Sequence, residues 1–152
     1  MPSESRQLLV KPAPSLFFRK FAYMKTLLTH PYLLVFAGGG FGSLLRYLTG
    51  RLIPATLMGS PFPMAILIVN VVASAILGAV AGWVMVRMAG DEMRLLIGVG
   101  FCGGLSTFSS FSYDTVVLLQ NGRTGFAFLN IGLNVTCCLL ASMGGLLIGQ
   151  KL

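Results

Sequence analysis

The 152-residue chain is 55% hydrophobic and only 10% charged, with a net charge of +7. That composition excludes an ordinary soluble domain and indicates a membrane protein, and the length holds one helical unit without a second domain. Cys102, Cys137 and Cys138 all fall in apolar segments, which excludes a secreted disulfide framework or a metal cluster and reads as small, reduced packing residues.

Residues 1–30 form a basic extension that holds Arg6, Lys11, Arg19, Lys20 and Lys25, five of the eleven basic residues. Pro2, Pro12 and Pro14 interrupt it, and it lacks the long apolar run and cleavage site of a secretory signal. The expectation is a disordered or surface-lying segment that meets anionic headgroups rather than nucleic acid. Met24 opens a second conventional membrane-protein start. Residues 31–152 are the transmembrane part.

The first predicted membrane segment runs from about Leu33 to Leu48, short for a span of about 20 residues. Gly38 and Gly42 make a small-xxx-small pair, the mark of a close helix contact. Arg46 near its end suits two roles equally, snorkelling to headgroups or facing a water-filled vestibule. Gly50 to Pro63 reads as a loop, stopped by Pro54, Pro61 and Pro63.

The second segment, about Met64 to Val86, is apolar apart from Asn70 and Ser74, which continue through Gly78 and Gly82 on one small, polar face. A lone membrane asparagine is often only glue between helices. Trp83 suits an interfacial anchor, and Arg87 to Arg94 reads as a short charged turn. The third segment, about Met93 to Leu119, exceeds a straight span and is expected to be interrupted at Gly103-Gly104. Five hydroxyl side chains and three phenylalanines crowd Gly100 to Ser112. Packing alone does not require hydroxyls and rings interleaved after a weak point, so a broken helix lining an ion path is the sharper reading.

After a turn at Gln120 to Thr124, the fourth segment, about Gly125 to Ile148, sets Asn130, Asn134 and Cys138 on one stripe. The fold class is therefore an all-α membrane protein with four transmembrane helices. Counted from Met24, Lys25, Arg87, Arg94 and Lys151 lie on one side and Arg46, Arg51 and Arg123 on the other. That balance fixes no orientation and admits an antiparallel dimer, although the basic extension, if translated, tips it.

Asp114 is the only acid within the predicted spans. That argues against a transporter driven by intramembrane carboxylates. Neutral donors suit a small anion instead: amides and hydroxyls can replace its hydration, and a phenylalanine edge is weakly electropositive. Phe108 and Phe111 share a helical face beside the expected break.

Gly38 to Tyr47, Ile68-Val69-Asn70 and Gly100 to Ser112 together resemble the Fluc (CrcB-type) fluoride channels, over about Leu33 to Gly149. The resemblance implies an antiparallel, dual-topology homodimer in the cell inner membrane, with two pores that export cytoplasmic fluoride and confer fluoride resistance. It also implies a central structural sodium ion (Na+) held by the backbone carbonyls of Gly103 and Ser106. Asn70, Phe108 and Phe111 match the pore residues, Ser109, Ser110, Asn130 and Asn134 the hydrogen-bonding track, and Arg46 the vestibule arginine. Two departures stand out: Ser106 replaces a frequent threonine, and Asn130, Asn134 and Cys138 stand where a tyrosine and serines are common. Asp114 has no assigned role.

Two other classes compete. A small four-helix multidrug transporter needs an early membrane carboxylate, but no Asp or Glu occurs between Glu4 and Asp91. In a non-transporting assembly subunit the polar stripes would only pack. An enzyme is not expected, because the single histidine, His30, lies outside the spans without a catalytic partner.

Overall fold

A computed structural model describes residues 30–57, 59–87 and 91–152. The basic extension therefore lies outside the described residues, apart from His30. Helix α1 spans Pro31–Leu52 and starts on a proline whose fixed φ suits a first turn. It stops where Ile53, before Pro54, turns extended. It therefore runs past both predicted ends and takes Arg51 into its last turn, where a positive charge meets unpaired carbonyls.

The predicted loop contains a minimal antiparallel hairpin, β1 (Thr56–Leu57) with β2 (Ser60–Pro61), that the sequence reading did not include. Gly59 sits between the strands at φ 75°, a conformation glycine adopts without strain. Phe62 then tucks in at 1% exposure against Phe126, with ring centroids 6.3 Å apart, and ties the hairpin to the last helix.

Helix α2 is Met64–Arg87. The next helical run begins with α3 (Asp91–Met93), continues as a wider-wound π-helix, Arg94–Cys102, and closes with α4 (Gly103–Leu105). Helix α5 is Phe108–Gln120, and α6 is Thr124–Gly149. Gly122, at φ 72°, makes the turn before α6. Among the described residues, three helical stretches are long and apolar enough to cross a membrane: Met64–Arg87, Asp91–Gln120 and Thr124–Gly149. Helix α1 is long enough but less apolar, since its glycines, Arg46 and Arg51 dilute its leucines and phenylalanines. The described residues thus form an all-α membrane protein apart from the hairpin.

The position of the interruption differs from the expectation. Gly103 and Gly104 are helical, and the chain leaves helical geometry at Ser106 (ψ 156°) and Thr107 (φ −154°, ψ 118°). Gly104 serves close packing instead, since a Cβ there would stand 2.9 Å from the Cα of Gly39. Without water to compete for the backbone, a membrane helix tolerates glycine and uses it for contact.

Helix α1 lies along the π-helix and α4, and α2 lies along α6. Both seams are backbone against backbone. A Cβ on Gly42 would meet the nitrogen of Leu105 at 2.8 Å, and one on Gly145 the nitrogen of Ala79 at 2.9 Å. Gly78 and Gly82 of the predicted stripe lie against α6, leaving Asn70 and Ser74 at its polar end. Val69, Ala73, Cys102 and Leu105 form the buried cluster between the seams.

Candidate functional site

The break exists because a side chain from another helix takes the hydrogen bond that would have continued it. The N–H of Thr107 donates to Oδ1 of Asn70 at 2.8 Å, not to the carbonyl four residues back. Thr107 then caps α5 with its own hydroxyl, which accepts from the N–H of Ser110 at 3.2 Å. Further bonds link the same hydroxyl to Oγ of Ser110 at 3.2 Å and of Ser109 at 3.1 Å. The result is a hydroxyl cluster at the positive end of a helix dipole.

Beside that cap lies a cavity of about 270 Å³. Asn70 and Ser74 of α2, Ser106 and Thr107 of the break, Phe108 and Phe111 of α5, and Asn134, Val135 and Cys138 of α6 line it. None of these side chains carries a fixed charge. Residues from three separate predicted stripes thus meet at one place. The rings of Phe108 and Phe111 stand 5.6 Å apart, tilted by 49°, and Phe108 is 80% exposed at the cavity mouth.

Other predicted residues sit one step back. Ser109 and Ser110 reach the cavity through Thr107. Asn130 is wholly buried behind Asn134 and bonds Thr115, so its side chain is not on the cavity wall. Arg46 is not on that wall either; its Nη1 donates to the carbonyl of Ser106 at 3.4 Å. Thr107 and Thr115 were absent from the predicted set. The signal for Thr107 was its place as a capping residue directly before Phe108. Nothing in the spacing singled out Thr115.

A second cavity, about 410 Å³, shares Ser74 and Ser106 with the first and is lined by Gly103 and Arg94 as well. Turning the N–H of Thr107 to Asn70 removes the donor that a continued helix would give the carbonyl of Gly103. Gly103 is exposed, with nothing within 4 Å of where a Cβ would stand. Neutral carbonyl oxygens at a helix break fit a hard monovalent cation such as sodium. The oxygen of Ser106 has a second lone pair beyond its long contact with Arg46, although that guanidinium competes for the place.

The family described as CrcB-like protein, Camphor Resistance (CrcB), matches residues 33–146. A protein of Pyrococcus abyssi named fluoride-specific ion channel FluC is 39% identical over 120 residues, 78% of this chain and 95% of the relative. Proteins of the same name from Novosphingobium aromaticivorans and Shewanella frigidimarina are 41% and 44% identical. Those matches cover 76% of this chain and 89% of the relative in the first case. In the second they cover 70% and 86%. The match spans the glycine seam, Asn70, the break with its phenylalanines and the asparagine stripe of α6, and the chain belongs to the CrcB-like family.

Proposed function

We propose that the chain is a fluoride-selective channel that passively exports cytoplasmic fluoride across the cell inner membrane. The observation that carries this reading is the uncharged, donor-bearing cavity at the capped N-terminus of α5. A helix N-terminus attracts an anion, and hydroxyl and amide hydrogens replace the water that the ion gives up. Edges of Phe108 and Phe111 then face the ion without holding it as a fixed charge would, so it can leave. The relatives' name points to the same ion.

In this reading residues 31–152 cross the membrane four times, with the third helix broken, and two copies assemble antiparallel to give two pores. Arg46 draws anions toward the vestibule. A sodium ion would be held by the carbonyls of Gly103 and Ser106 from both copies, where it would cross-link the two breaks.

Two measurements test this. Purified protein in fluoride-loaded liposomes is expected to release fluoride to an external electrode while chloride stays inside. Release no faster than from empty vesicles would defeat the channel reading, and flux that requires a second protein would favour an assembly subunit. Replacing sodium with a large organic cation is expected to shorten the lifetime of the dimer in detergent. An unchanged lifetime would remove the ion from the structure.

A further inference from the structure

Five hydrogen bonds run head to tail from the break to the middle of α5. Thr115 is buried, and its hydroxyl donates to the carbonyl of Phe111 at 2.8 Å. That commits its one proton, so toward Asn130 the oxygen can only accept. Nδ2 of Asn130 supplies the bond at 2.9 Å. Asn130 has no exposed surface and hence no water as an alternative partner.

With its amide nitrogen held there, Oδ1 of Asn130 faces Asn134 and accepts from Nδ2 at 2.9 Å. The same nitrogen also donates to the backbone carbonyl of Asn130 at 3.1 Å. Both hydrogens of Asn134 are thus used away from the cavity. Its Oδ1 accepts from Nδ2 of Asn70 at 3.0 Å. At the far end, the N–H of Thr107 holds Oδ1 of Asn70. The other hydrogen of Asn70 meets only a long 3.4 Å contact, to the carbonyl of Thr107.

Reversing any one amide would set two NH2 groups or two oxygens face to face. The array therefore reverses as a whole or not at all. Both ends oppose reversal: a backbone N–H can only donate, and the Thr115 hydroxyl would have to give up its bond to Phe111 in order to donate to Asn130. We propose that Thr115 and Asn130 are positioning residues that fix this sense, so that Asn134 presents a capped acceptor and Asn70 supplies the amide hydrogen an anion can take. The proposal rests on the fluoride-conduction reading for its consequence, but not for the geometry of the array. A bare carbonyl oxygen on the cavity wall would repel fluoride, whereas one occupied by Asn70 does not.

The test compares wild type, Thr115→Val and Thr115→Ser by fluoride efflux from liposomes and by hydrogen exchange of asparagine side-chain amides in nitrogen-15-labelled protein. Valine keeps the volume but leaves the amide of Asn130 without an acceptor; serine keeps the oxygen. Efflux is expected to fall at least about fivefold in Thr115→Val, with dimer size unchanged, and to stay within about twofold in Thr115→Ser. Chloride leak should rise and amide exchange of Asn130 should accelerate only in the valine variant. Wild-type efflux with unchanged exchange in Thr115→Val would overturn the assignment. Should Thr115→Val not assemble, Thr115→Ala replaces it, and failure of both beside a normal Thr115→Ser would make Thr115 merely structural, which also overturns it. If wild type passes no fluoride, the conduction reading fails, and amide exchange alone still decides whether the array has a fixed sense.

Discussion

Phe108→Ile is expected to cut fluoride efflux about tenfold or more while the protein keeps its wild-type size in detergent. The ring lines the cavity and is 80% exposed within the single chain, so the substitution removes few contacts inside one copy. Isoleucine roughly preserves the apolar bulk and removes only the electropositive edge. Phe111→Ile should do the same, because its ring is tilted at 49° to that of Phe108 beside the same cavity. Efflux near the wild-type rate from protein of wild-type size would mean that the ion passes elsewhere.

The second large effect concerns the fold. Gly42→Val should prevent assembly or lower the melting temperature by many degrees, since its Cβ would collide with the carbonyl oxygen of Phe101 and stand 2.8 Å from the nitrogen of Leu105. Both neighbours are backbone and cannot swing aside, so overpacking costs about 1–3 kcal/mol or more. Gly40→Ala provides the contrast within the same glycine run. Nothing lies within 4 Å of that position, and alanine favours a helix over glycine by about 1 kcal/mol. Thermal unfolding in detergent separates the two, and equal behaviour would refute the backbone seam between α1 and the third run.

The separate polar stripes of Asn70 and Asn134 were legible in the sequence, whereas their meeting with Phe108 and Phe111 was implied only by the resemblance to the Fluc channels. A four-residue polar stripe stands out against an apolar background, and no soluble surface confuses the pattern. The site of the break was not legible. A glycine pair signals weak helix propensity, but propensity weighs little where water cannot compete. The interruption is instead set by Asn70, thirty-seven residues earlier in the chain, reaching the N–H of Thr107. No local pattern carries a contact of that range. The same holds for Asn130, which the stripe placed beside Asn134 but which the packing of α5 turns toward Thr115. The hairpin escaped because two-residue strands among prolines leave no alternation to read.

The dependence of the break on Asn70 bears on biogenesis. The third hydrophobic segment, emerging alone from the ribosome, has its own carbonyl available to every N–H and would enter the bilayer straight. Its bend arises only on docking against α2, which is synthesised first and already offers the side-chain oxygen. The non-helical pair Ser106 and Thr107 is then a product of tertiary assembly rather than of insertion.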